Sequence, residues 1–265
     1  MARAPFAGEI ELVFIGTRGN TEPRSRRHRR HSALLVCCAD ERVMIDCGAD
    51  WLHAVERLAP SAIVLTHAHP DHAKGLAGGA PCPVFATAET WASLEPHWVA
   101  DRRVVVANAP FRIGGLRLQA FPVEHSIRAP AVGYRISRGR SAFFYVPDVV
   151  AIRERSRALR GVQLYVGDGA TIARPMVRRR LSALVGHTPI RTQLGWCAKE
   201  GVADAIFTHC GAEIVLGNAR ELAAVVKRLG AERGVAARIA YDGMRVALPV
   251  LAIRRARRAA APEHA

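Results

Sequence analysis

Ile63-Val64-Leu65-Thr66-His67-Ala68-His69-Pro70-Asp71-His72 is a run of branched apolar residues that breaks abruptly into three histidines and a carboxylate. The apolar half suits a strand and the polar half the loop that leaves it, a place where a rigid element can fix functional groups. Residues two apart in an extended stretch face the same way, so His67 and His69 can serve one centre. Asp71 and His72 can turn toward a second as a helix begins. Neutral imidazole and carboxylate form a mixed donor set suited to zinc, manganese or iron. With 11 histidines in 265 residues, a chance H-x-H-x-D-H in such a chain is on the order of one in a thousand, so ligation outweighs coincidence.

Around this segment, short runs rich in Val, Ile, Leu and aromatics recur at 10–15, 33–36, 43–45, 62–66, 116–121, 132–136, 142–146, 164–166 and 205–208. Their lengths predict strands. Helices are predicted at 189–199, with Thr188 as cap and Pro189 in the first turn, and at 219–229, with Asn218 as cap and Gly230 as stop. Strands interleaved with helices predict a layered α/β fold. No repeat or low-complexity linker appears, so we expect one domain over 1–265 with a frayed basic tail at 254–265.

Composition narrows the function classes. Half of the residues are apolar, enough for a large core. No uninterrupted apolar stretch reaches about eighteen residues, and 1–8 lacks the apolar segment of a signal peptide, so we expect a cytoplasmic protein without a membrane span. The six cysteines form no C-x-x-C pattern and suit reduced, partly buried thiols. Net charge is +15, carried almost wholly by arginine, since lysine occurs only at 74, 199 and 227. Two basic clusters stand out, Arg24 to His31 and Arg254 to Arg258; the first is expected to adjoin the site and could draw in an anionic substrate.

Motifs elsewhere fall in an order that resembles the metallo-β-lactamase superfamily. Phe14-Ile15-Gly16-Thr17 is similar to the family's opening strand and turn. Met44-Ile45-Asp46-Cys47-Gly48 is similar to its Asp-x-Gly turn, in which Asp46 would brace the metal loop. His125 in Pro122-Val123-Glu124-His125-Ser126, Asp148 in Tyr145-Val146-Pro147-Asp148-Val149 and His209 in Ile206-Phe207-Thr208-His209-Cys210 follow at strand ends. The resemblance runs from about residue 10 to about residue 249. It implies a four-layer αββα sandwich, two mixed sheets flanked by helices, and two divalent metal ions, zinc first and manganese second. His67, His69 and His125 would hold one ion, Asp71, His72 and His209 the other, and Asp148 would lie between them.

The later half resembles the family's phosphodiesterase branch, which includes phosphoribosyl cyclic phosphodiesterase and ribonuclease Z. Gly186-His187-Thr188-Pro189 is similar to that branch's extra histidine motif, and 237–246 to its C-terminal strand pair. His187 would then protonate a leaving oxygen, Asp168 in Val166-Gly167-Asp168-Gly169 would pair with it, and Asp71 could accept a proton from water. The implied activity is hydrolysis of a small or cyclic phosphodiester by a hydroxide shared between two metals. One alternative is a lactone, thioester or β-lactam hydrolase on the same site; others are an RNA-processing nuclease or a basic nucleic-acid-binding protein. A homodimer is common in the family. Departures are Pro147 and Val149 around Asp148, where the family carries Gly and Thr, the absence of a zinc-binding cysteine cluster near the start, and Glu213 where ribonuclease Z carries Arg.

Overall fold

Alternation along the first strand decides how the layers stack. In β1 (Glu9–Gly16), Ile10, Leu12 and Phe14 pack into one apolar cluster and Val13 into another. A strand buried on both faces needs a covering layer on each side. The computed structural model describes residues 9–95 and 98–251 and supplies both layers; the basic tail expected at 254–265 lies outside the described residues.

β1 is followed by β2 (Ala33–Cys38), β3 (Glu41–Ile45), β4 (Ala62–Val64), β5 (Val84–Thr87) and β6 (Arg102–Val105), which line up in that order in the first sheet. The second sheet takes β7 (Pro110–Ile113), β8 (Leu116–Glu124), β9 (Ala131–Arg138), β10 (Ser141–Tyr145), β11 (Ala151–Ile152) and β12 (Leu164–Asp168). A separate hairpin, β13 (Met176–Arg180) and β14 (Ala183–His187), belongs to neither sheet. β15 (Asp204–Thr208) and β16 (Ala236–Ile239) complete the second sheet, and β17 (Met244–Pro249) returns to the first beside β1. Each sheet is antiparallel in one half and parallel in the other: β3 to β6 in the first, and β10, β12, β15 and β16 in the second.

Three apolar clusters mark the layers. Phe14, Leu34, Tyr134, Phe143, Tyr145, Val166 and Ile206 fill the space between the sheets. The outer face of the first sheet packs Met44, Ile63 and Leu65 against Trp51 and Leu76 from short helical turns, Ala73 from α1 (Pro70–Ala73) and Trp91 from α2 (Ala88–Ala92). On the outer face of the second, Phe144, Tyr165 and Phe207 meet α3 (Arg155–Leu159), α4 (Ile190–Glu200), α5 (Ala212–Leu216) and α6 (Ala219–Ala231). The result is the expected four-layer sandwich of two mixed sheets flanked by helices. No helix among the described residues is long and apolar enough to cross a membrane.

Some local expectations shift. Pro189, not Thr188, occupies the cap position of α4, because the Thr188 hydroxyl donates instead to the Val150 carbonyl at 2.7 Å. Asn218 caps α6 as expected, accepting from the Arg220 and Glu221 amides, but the helix runs one residue past Gly230. Gly230 is there for close approach: a Cβ at this position would meet the Val235 carbonyl oxygen at 2.4 Å. The expected C-terminal strand pair is divided, since β16 ends the second sheet while β17 pairs with β1, Val246 opposite Leu12. All six cysteines are free and five are buried.

A candidate dinuclear metal centre

Each candidate ligand sits just beyond a strand end. β4 leads into His67, and His69 stands at the N-cap of the single turn α1, whose first residue is Pro70 and which carries Asp71 and His72. From the second sheet, β8 leads to His125, β10 toward Asp148, and β15 to His209. Functional groups therefore gather at the ends of strands near the parallel halves of both sheets, the usual location for sites in such folds.

The donor atoms converge. His67 Nε2 lies 3.0 Å from His69 Nδ1, which lies 3.3 Å from His125 Nε2. His72 Nε2 is 3.2 Å from Asp71 Oδ2, and His209 Nε2 is 3.1 Å from that same oxygen. Asp148 faces both groups, with Oδ1 3.4 Å from His125 Nε2 and Oδ2 2.9 Å from His72 Nε2 and 3.4 Å from His209 Nε2. Metal–nitrogen bonds of about 2.0–2.1 Å at tetrahedral angles place ligand atoms about 3.3 Å apart, the spacing seen here. Burial gives an independent test of fit. Asp71 Oδ1, His72 Nε2 and Asp148 Oδ2 are buried without a hydrogen-bond partner, and the short His72–Asp148 approach lacks hydrogen-bond geometry. Such orphaned atoms are costly unless something satisfies them, and divalent cations would.

Charge states suit cations as well. Burial, with the neighbouring His72 charge, holds His67 well below its ordinary value; burial and His125 bring His69 down to about 4; burial also lowers His125. Burial works against the ionised carboxylates, but the surrounding imidazoles outweigh it and keep Asp71 and Asp148 far below the usual range. His67, His69 and His125 are thus held neutral and the two carboxylates ionised, the forms that bind metal. His72, although burial opposes its charge, is held well above its ordinary value by Asp71, Asp148 and Asp46, the concentrated negative charge that a cation would answer.

Bracing comes from Asp46. Its carboxylate accepts from the Thr66 amide at 2.8 Å and the Thr66 hydroxyl at 2.9 Å, and it contacts His72 Nδ1 at 2.9 Å, so the far side of the ring is fixed while Nε2 faces the cluster. Asp46 sits at φ 64° and is fully buried.

His187 and Asp168 meet as the sequence predicted. His187 Nδ1 is 2.8 Å from Asp168 Oδ2. Burial opposes a charged ring, but Asp168, by charge and hydrogen bond, with Asp148 and Asp71 behind it, lifts His187 to about 9. The Asp168 carboxylate also accepts from the Val149 and Ala170 amides at 3.0 and 2.8 Å. Val149 is thereby anchored, so the Pro147 and Val149 departures leave the Asp148 carboxylate within the cluster.

Two features escaped the sequence reading. Gln193, wholly buried on α4, accepts from the Tyr165 hydroxyl and the Asp168 amide and donates to the Asp168 and Thr188 carbonyls. A polar residue on the same stripe as Ile190 and Leu194 was the available signal. The second is Arg178-Arg179-Arg180 on β13, a basic run just ahead of the strand that delivers His187. Conversely, the Arg24–His31 loop lines none of the three cavities that reach the cluster: Arg24 pairs with Asp50 at 2.8 Å, Arg27 stacks over Tyr241 and Arg30 over Trp51.

Comparison with known proteins gives the same picture. Over 178 residues the chain is 29% identical to ribonuclease Z of Methanopyrus kandleri, a stretch covering 59% of this chain and 62% of that protein, less than two thirds of its length. Among solved structures, the metallo-β-lactamase fold protein YhfI of Bacillus subtilis superposes with a TM-score of 0.69 at 16% identity, over 90% of this chain and 99% of that one. A diphosphatase of the PhnP family does so with a TM-score of 0.69 at 19% identity, over 91% and 98%. The β-lactamase superfamily domain model matches residues 41–210, which contain the Asp46 brace and every candidate donor from His67 to His209. The chain belongs to the β-lactamase superfamily.

Proposed function

We propose that the protein is a metal-dependent phosphodiesterase. His67, His69 and His125 would hold one divalent cation, Asp71, His72 and His209 a second, and Asp148 would reach both; the predominance of imidazole favours zinc. A cation pair, when bound, supplies hydroxide near neutral pH and positive charge opposite the phosphoryl oxygens.

The chain's own residues account for the proton traffic. Asp71 would take a proton from the attacking water, a reading supported by its Oδ1 being buried without a partner. With Nδ1 turned to Asp168, His187 keeps Nε2 for the leaving oxygen. As the new phosphorus–oxygen bond forms, the bond to the leaving alcohol breaks, and the His187 proton passes to that alkoxide.

The observation that carries this reading is the His187–Asp168 pair beside the cluster. Hydrolysis of a strained carbonyl such as a lactam has less need of a supported acid for a departing alkoxide. Similarity to ribonuclease Z and to a diphosphatase favours phosphorus over carbon as the centre attacked. Metal-loaded protein should hydrolyse bis-p-nitrophenyl phosphate and an alkyl phosphodiester such as a cyclic nucleotide in preference to a lactone or a thioester. His187→Ala should lower turnover of the alkyl ester by about 10²–10⁴-fold. Preference for the lactone, or alkyl-ester turnover undiminished in that variant, would move the assignment to the carbonyl hydrolases.

A further inference from the structure

The β13–β14 hairpin that delivers His187 divides the approach to the cluster. On one side lies a cavity of ≈ 580 Å³ whose wall includes His187, His209, Thr171, Arg174 and Glu213. On the other lies a cavity of ≈ 590 Å³ whose wall includes His69, His125, Arg128, Arg178, Arg180 and Leu181. Both reach the candidate metal ligands, so a substrate at the cluster has room to extend to either side of the hairpin; a third cavity of ≈ 450 Å³ also touches His125, but its wall includes Glu89 and Glu124, which disfavour an anion.

Their charge differs. The first balances Arg174 with Glu213, whose carboxylate is occupied by the Ile172 amide at 3.2 Å. The second holds three arginines and no carboxylate, and none of the three side chains has a hydrogen bond or ion pair among the described residues. Strand alternation puts Arg178 and Arg180 on the same face of β13 and Arg179 on the opposite one. Guanidinium groups gathered in a concavity without acid partners are binding groups for an anion, and their planar donors suit phosphate. Ile127 and Leu181, 47% and 92% exposed, add an apolar rim to the same cavity.

We infer that this second cavity receives the half of the substrate that keeps the phosphorus, and that this half carries a further phosphate on a nucleoside-sized body. The assignment of sides rests on the phosphodiesterase reading: His187 lines the first cavity, so the alcohol it protonates departs there and the retained half lies opposite. The three arginines then meet the additional phosphate, while Ile127 and Leu181 offer contact area to the sugar or base.

Calorimetric titration of the metal-loaded protein with thymidine 3′,5′-bisphosphate and with thymidine 5′-monophosphate tests this without turnover. Native protein should bind the bisphosphate about tenfold more tightly or better, the effect of a charge-assisted phosphate contact. Arg178→Gln with Arg180→Gln should erase that preference and leave monophosphate affinity within about twofold. Arg179→Gln, on the opposite face, should keep the preference. Equal binding of the two nucleotides by native protein, survival of the preference in the double variant, or its loss in R179Q would overturn the inference. Hydrolysis of bis-p-nitrophenyl phosphate by the same samples reports separately: binding preference without turnover sinks the phosphodiesterase reading and with it the assignment of sides, and turnover without preference sinks the cavity assignment alone.

Discussion

Residues 24–31 and residues 67–72 both set histidines in a polar loop after an apolar strand, yet only the second leaves its polar atoms unanswered. In the first, His28 Nδ1 meets the Thr17 hydroxyl at 2.8 Å, His31 Nε2 meets the Arg18 guanidinium at 2.9 Å, and His31 Nδ1 lies 3.0 Å from Asp50. Asp242 completes that structure, accepting from the Thr17 hydroxyl at 2.6 Å and the Arg29 amide at 2.9 Å. Within 67–72, Asp71 Oδ1 and His72 Nε2 are buried with no hydrogen-bond partner; His72 Nε2 faces Asp148, and the other oxygen of Asp71 meets His209. Histidine content does not separate a structural loop from a ligand loop; unsatisfied buried atoms do, because only an outside group can answer them.

The sharpest way to break that contrast is to remove Asp148, which faces both groups of candidate donors. Asp148→Asn keeps the shape and deletes the charge. Bound metal, measured by elemental analysis, should fall from two per chain to one or fewer. Turnover of bis-p-nitrophenyl phosphate should drop about a thousandfold or more, since a metal's share of charge stabilisation is several kcal/mol. Chelation should do the same reversibly in the native protein, with zinc or manganese restoring activity. Full metal content in the variant would refute the ligand set.

His187→Ala comes next in size. Loss of a positioned acid costs about 10²–10⁴-fold for an alkyl leaving group, while p-nitrophenoxide, a far better leaving group, should be nearly indifferent. Asp168→Asn should act through the ring. Because Asp168 raises the His187 pKa, its removal lets the ring deprotonate sooner, so the alkaline limb of the alkyl-ester rate profile should move to lower pH. An unmoved limb would show that the pair is structural only.

What was legible beforehand follows from how local each signal is. Ligand chemistry forces unlike residues into one short loop, so 67–72 announces itself, and strand-end polar residues such as His125, Asp148 and His209 stand out against the apolar runs before them. Gln193 does not, because its role depends on Asp168 lying beside it across the α4 interface, a contact no spacing encodes. The three arginines of the second cavity are similar: Arg128 leaves β8 while Arg178 and Arg180 sit on a hairpin, and only folding joins them. Short β5 and β6 were missed because they lack the length and alternation of β1. Asp46 was legible through its Asp-x-Gly turn, and its test is of intermediate size. Asp46→Asn should weaken metal affinity about 10–100-fold by freeing His72, read by competition with a chromogenic chelator, while His28→Gln should leave that affinity unchanged.

The smallest effect belongs to the self-contained loop and appears in stability. Burial, helped by the Arg27 charge, holds His28 down to about 4, against an ordinary value of 6.5 in the unfolded chain. Between those two values the unfolded chain binds the proton that folded His28 refuses, so stability rises with pH across the window. The contribution of a neutral His28 is therefore complete above about pH 6.5, declines as pH falls toward 4, and is spent below that. Because protonation of the ligand histidines in this same range would release metal, the comparison is best made with metal-free native protein and metal-free His28→Gln. The stability gap between them, from urea unfolding at a series of pH values, should shrink by about 1–3 kcal/mol between pH 7 and pH 4. A gap that stays constant would mean that His28 accepts its proton without strain, and the loop would then be no more self-contained than residues 67–72.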